Sequence, residues 1–219
     1  MAVSSSWAAD RTVLEKNDFG IRVIREREGY VEAVISKSND SVVIQWATDS
    51  AFRFFPLMEH EELGLTLHPF DLATNKVLAL VGRVEVRDWI DIINCHTTIQ
   101  RFGYLAWAAS AKDPGFSAPA ILCEAARTAR YSGTEVSALD FGSTPPDAVE
   151  LGKSWHEMLK EAQELVPEIP PEQSGTCLLN SNGALYGGDV GTLREDIAAG
   201  QVRYHRGQLR GAYPQIVGV

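Results

Sequence analysis

The residues with the clearest capacity for chemistry lie in one central stretch: Asn75-Lys76, then Gly82-Arg83, then Arg87-Asp88 and Asp91. A lysine ammonium binds phosphate oxygens as a point charge, and a neighbouring carboxylate can keep it charged or act as a base. On a helix, Leu72, Lys76, Ala79, Leu80 and Arg83 follow the i, i+3, i+4, i+7 rule. Lys76 therefore shares a stripe with apolar residues and is expected to point inward or along a cleft wall, where it needs a partner. On a second helix, Arg87 and Asp91 stand four apart and Asp88 and Asp91 three apart, so one or two carboxylates can face the first helix across a tight turn at 82–86. The expectation is a Lys76 and Asp88 pair at the base of a cleft. Two readings stay open, a phosphate-handling pair and a structural ion pair that pins two helices.

Positioning these residues requires two helices, expected over 71–83 with Asp71 as N-cap and over 86–102. Further helices are expected at 5–17, 103–112, 117–131 and 148–165, from apolar spacing and Gly or Pro punctuation. Upstream, three β-branched runs, Ile21–Glu26, Tyr30–Ser36 and Ser41–Ala47, read as an antiparallel meander joined at Glu28-Gly29 and Ser38-Asn39-Asp40. The third run is apolar on both alternating sets, which suits a strand covered on both faces. Pro167, Pro170 and Pro171 mark a linker. Beyond it, strands at 176–186 and 201–209 flanking a helix at 192–199 form a C-terminal appendage, 167–219, to a main domain at 1–166.

Composition excludes several classes. The chain has 219 residues, 45% hydrophobic and 22% charged, which is ordinary for a globular protein. Its apolar runs are too short to span a bilayer and no secretory leader is visible, so a cytoplasmic protein is expected. Cys95, Cys123 and Cys177 are too widely spaced for a zinc knuckle and are expected as buried thiols. A net charge of −9 argues against a broad nucleic-acid surface. His60 and His68 do not form a zinc-protease motif, and Gly187–Thr192 lacks the ending of a phosphate-binding P-loop, so a capped turn explains it. Arg203, His205, Arg206 and Arg210 form a small basic cluster that reads mainly as a solvated strand face. The five tryptophans, Trp7, Trp46, Trp89, Trp107 and Trp155, read as core.

The pattern Asp71-Leu-Ala-x-Asn75-Lys76-x-x-Ala-Leu, followed by Gly82-Arg83 and Arg87-Asp88-x-x-Asp91-Ile, resembles the third and fourth motifs of the AbiEii/AbiGii-type toxin nucleotidyltransferase family. A weaker likeness runs from Trp7 to Leu165, including Trp107 and Lys112–Phe116. The resemblance implies an α/β (α+β) fold, with an incomplete nucleotidyltransferase-like mixed sheet followed by a helical bundle and a small α/β tail. It implies Lys76 and Asp88 as catalytic residues and Asn75, Arg83, Arg87 and Asp91 as substrate-binding ones. It also implies a nucleoside triphosphate, Mg²⁺, an RNA or protein acceptor and an antitoxin partner.

The family's first motif, a Gly-Ser or Gly-Gly-Thr turn with an Asp-x-Asp, has no counterpart before Trp7, and a third carboxylate expected near 42–46 is replaced by Gln45, with Asp49 remote. The chain is therefore expected to be weak or inactive as written. Either a late start omits the motif or the chain is a natural short form; the likeness of Trp7–Leu14 to the helix that follows the motif inclines to the former. A non-catalytic nucleotide-binding or protein-interaction role is the alternative. Sheet edges exposed in a short form would favour a homodimer.

Overall fold

The computed structural model describes residues 3–48, 51–142 and 144–209. The chain is an α+β protein and divides into two compact units, Met1–Ala51 and Phe52–Val219. The boundary falls well upstream of the expected one at 166/167.

In the first unit, helix α1 (Val3–Lys16) precedes strands β1 (Gly20–Arg27), β2 (Tyr30–Lys37) and β3 (Asp40–Ala47), which pair in the order β1-β2-β3. Both ladders are antiparallel, so the sheet is the meander that the three β-branched runs lead one to expect, and not the mixed sheet that the resemblance implies. Two-residue turns close the hairpins, with Gly29 at φ 77° and Ser38 at φ 57° supplying the left-handed residue each turn needs. Alternation in β2 sends Val31, Ala33 and Ile35 into a small core with Trp7 of α1. Trp46 packs on Trp7 at 4.6 Å between ring centroids, and its indole Nε1 donates to Asp10 at 2.7 Å.

The expectation for the third strand is corrected here. β3 is an edge strand, with Val42 and Val43 56% and 53% exposed. Among the described residues the strand apolar on two sides pairs with one neighbour, β2, and α1 packs on one face of the sheet.

The second unit opens with short strands β4 (Phe52–Arg53), β5 (Met58–His60) and β6 (Gly64–Thr66), followed by helices α2 (Pro69–Arg83), α3 (Val86–Thr98), α4 (Phe102–Ala109), α5 (Ala118–Thr128), α6 (Gly133–Ser137) and α7 (Ala148–Leu165). Its chain continues through two 3-10 turns to β7 (Thr176–Leu179), α8 (Val190–Ala198), β8 (Arg203–Arg206) and β9 (Gln208–Leu209). α4 is buried along its whole length. Gly103 permits this, because a Cβ there would lie 3.1 Å from the Ala162 Cα on α7.

Residues after 166 do not stand apart. Cys177, Leu178 and Leu193 belong to the same core as α4 and α7. β7 pairs with β8 and β9 with β4, so the tail closes on the start of the unit. The expected strand at 176–186 ends at Leu179, because Asn180 folds a turn in which its Oδ1 accepts from Asn182 and Ala184 amides. Trp7, Trp89, Trp107 and Trp155 are core residues and Trp46 is half-buried. Among the cysteines, Cys177 is buried and Cys95 half-buried, while Cys123 is exposed. Cys123 lies between Leu122 and Ala125 on α5 but off the face that buries them. No helix among the described residues is long and apolar enough to cross a membrane.

Candidate functional site

α2 starts with Pro69 at its first position and with His68, not Asp71, as N-cap; the His68 imidazole accepts from the Phe70 amide at 3.1 Å. Asp71 is inside the first turn and fully buried. Its two carboxylate oxygens accept from the Phe54 and Phe55 amides, each at 3.0 Å. Lys112 reaches the same carboxylate at 2.9 Å and also donates to the Asp71 carbonyl at 3.0 Å and to Asn75 Oδ1 at 2.8 Å. These two side chains are 1% and 0% exposed, so the pair is a buried clasp joining residues 54–55, α2 and the segment after α4. Asn75 is thus turned toward the clasp.

At the far end of α2 the chain reverses. Val84, at φ 54° and ψ 53°, ends α2 in the left-handed region, which is costly for a β-branched residue. This corner brings Arg83 onto Asp88 in the first turn of α3, with Nε to Oδ2 at 2.7 Å and Nη2 to Oδ1 at 3.0 Å. Lys76 Nζ lies 3.3 Å from Asp88 Oδ1 and 2.6 Å from Asp91 Oδ2. Asp88 is entirely buried, whereas the side chains of Lys76, Asp91 and Arg83 are 36%, 40% and 45% exposed. The tight turn and the i, i+3 spacing therefore bring Lys76 together with Asp88 and Asp91 as expected, and the structure adds Arg83 to them. Arg87 instead pairs with Glu85 at 2.6 Å.

Electrostatics favour the charged forms of Lys76 and Asp88. Burial of Lys76 works against its charge, but the hydrogen bond and charge of Asp91, with those of Asp88, outweigh it and hold the ammonium above the ordinary lysine value. Burial likewise opposes ionisation of Asp88, but the Arg83 fork and Lys76 prevail and hold its carboxyl below the usual range. Its place in the first turn of α3 adds the favourable end of a helix dipole. Tyr131, packed on Trp89 at 5.3 Å, is pushed up to about 12 by burial and by Asp88, so its phenol stays neutral and supplies no base.

An open groove of about 490 Å³ runs beside Lys76 and Arg83, walled by Leu72, Asn75, Ala79 and Gly82 of the same helix. It is the flank of α2 and not a cleft between two helices, and Asp88 does not line it. The expectation of a pair at a cleft base is corrected accordingly: Asp88 lies behind the site and Lys76 at its lip.

The resemblance implies Mg²⁺, but these carboxylates do not fit it. Both Asp88 oxygens are engaged by cations and the near oxygen of Asp91 is held by Lys76, whereas Mg²⁺ needs oxygen ligands facing away from competing charge. Among the described residues no three His, Cys, Asp or Glu side chains are grouped to hold a metal ion. Asp49 lies outside the described residues, and Gln45 donates to Glu32 at 2.9 Å.

The other sequence candidates separate. His60 accepts amides in the β5–β6 turn. Asp189 caps α8 through the Thr192 amide at 2.9 Å, in keeping with a capped turn. His205 stacks on Phe55 and its Nε2 meets the Phe54 carbonyl at 2.7 Å, so it is part of the packing and not of a solvated strand face; Arg210 lies outside the described residues. Sequence reasoning missed Lys112 as the partner of Asp71; its local signal is a lysine three residues after the apolar run 103–109. Comparison with known proteins finds no family model, no curated protein and no solved structure that matches the chain.

Proposed function

We propose that the flank of α2 binds the phosphates of a nucleoside triphosphate, and that the chain is a nucleotidyltransferase-like protein, of a class that transfers a nucleotide to an RNA or protein acceptor. The motif resemblance supports the class, with a toxin role and an antitoxin partner as its corollaries. The observation that carries the reading is the division of labour around Lys76. A buried carboxylate, Asp88, orients it from behind, while an exposed one, Asp91, occupies the side that a ligand oxygen would take.

On this reading a phosphate displaces Asp91 from Lys76, and Arg83 turns its unpaired Nη1 edge to the same anion while Nε and Nη2 stay on Asp88. The strained Val84 beside the cluster supports a site under functional constraint.

Calorimetry with each nucleoside triphosphate, with and without Mg²⁺, tests the proposal. Lys76→Ala is expected to abolish binding. Asp91→Asn, which removes the competing charge, is expected to tighten it about tenfold, or ~1.4 kcal/mol. A second reading, a protein-interaction module with a structural corner, is favoured by the balance of Lys76 and Arg83 against Asp88 and Asp91 within the cluster. Failure of every triphosphate to bind the unmodified chain selects it.

A further inference from the structure

The two edges of the β1-β2-β3 sheet are built differently. β1 carries a register irregularity between Val23 and Arg25 and the charges Arg22, Arg25, Glu26 and Arg27. Bulges and charges of this kind blunt an edge against pairing. β3 has neither. Its register with β2 is unbroken from Asp40 to Ala47, and after Asp40 it reads Ser-Val-Val-Ile-Gln-Trp-Ala, with no charge and no proline.

The direction of the free hydrogen-bonding groups follows from the turn. In a hairpin closed by a two-residue loop the flanking pair is hydrogen-bonded, here Lys37 with Asp40, and the pattern then alternates. The Thr48 amide donating to the Gly29 carbonyl at 2.9 Å keeps that phase. Ser41, Val43 and Gln45 therefore turn their N–H and C=O groups to the open edge.

We propose that β3 pairs antiparallel with β3 of a second copy of this chain about a two-fold axis at Val43, giving a continuous six-stranded sheet. In this register Val43 meets its own copy and Ser41 meets Gln45, exchanging main-chain hydrogen bonds. Val42 meets Ile44 on the face that carries α1, and so extends the small Trp7 core across the axis. The strand is self-complementary: apolar residues meet apolar ones and no like charges are opposed. Self-pairing of β1 would instead set its arginines against one another. One strand pair buries little area, so dissociation in the micromolar range is expected.

Two experiments on the full chain test this. Sedimentation across a concentration series is expected to show a monomer–dimer equilibrium. Val43→Lys is expected to weaken it at least tenfold and Val23→Lys, on the blunted edge, to leave it unchanged, with circular dichroism verifying that both variants fold. In a Cys123→Ser background, Val43→Cys is expected to cross-link to its copy under mild oxidation. The Cα atoms of a hydrogen-bonded antiparallel pair lie about 5.5 Å apart, within disulfide reach. A chain that stays monomeric on the order of 100 µM, or one in which Val23→Cys cross-links as readily as Val43→Cys, overturns the proposal.

Discussion

Two lysines meet aspartates around the same helix, α2, in contrasting ways. Lys112 and Asp71 are 1% and 0% exposed, and the aspartate also accepts two backbone amides. Lys76 is 36% exposed and shares its charge between a buried aspartate and an exposed one. Opening the first pair strands a charge in the interior, whereas on the proposed reading the second exchanges one carboxylate for another anion while the other keeps the lysine in place. Burial of both partners thus marks a structural clasp, and the proposed site is the pair whose burial is asymmetric.

The sharpest way to break this comparison is to cut the clasp. Asp71→Ala is expected to cost ~3–5 kcal/mol, because Lys112 is left buried without its counter-charge; urea denaturation measures it, and a loss below ~1 kcal/mol removes the distinction. Asp88→Asn comes next. It weakens the Arg83 fork, but Arg83 and Lys76 are half-exposed and water recovers part of the loss, so ~1–3 kcal/mol is expected in the same assay.

The pH dependence of stability sharpens the role of Asp88. Its folded pKa is depressed below 3.8, so its contribution is present above that value and is lost as pH falls from there through the lower folded value. Lys76 has a raised folded pKa, so its contribution is present below 10.5 and is lost as pH rises through the higher folded value. Thermal melts from pH 2 to 6 are expected to show a shallower acid limb in Asp88→Asn than in the unmodified chain.

Lys76→Ala is expected to change stability by less than ~1 kcal/mol, since Arg83 still pairs Asp88, while removing triphosphate binding. That split between stability and binding is what a solely structural lysine does not produce. The smallest effect is at the corner. Val84→Gly relieves a left-handed β-branched residue and is expected to stabilise the fold by up to ~1 kcal/mol, by thermal denaturation.

Much of the local structure is legible in the sequence. Period-2 runs broken by Glu28-Gly29 and Ser38-Asn39 specify the meander. Apolar spacing running to Arg83 specifies α2, although its start is read at Asp71 and lies at Pro69, and the spacing of Lys76, Asp88 and Asp91 specifies their meeting. The readings that fail concern partners far away in the chain. Asp71 looks like a cap because Asp before an apolar helix commonly is one, yet its partners are Phe54, Phe55 and Lys112, the last 41 residues on. The apolar pattern of β3 looks like coverage on two sides, yet pattern records what a strand could bury and not whether a neighbour arrives.

The sequence by itself determined the meander with its turns, the longer helices and the meeting of Lys76 with Asp88 and Asp91 at the α2–α3 corner, because hydrophobic period and turn chemistry act over a few residues. Only the tertiary structure decided that Asp88 lies behind the groove and Lys76 at its lip, that Lys112 closes a clasp on Asp71, and that the tail after 166 shares the helical core. Burial and charge pairing depend on which distant segments pack together, and that is set by the whole chain.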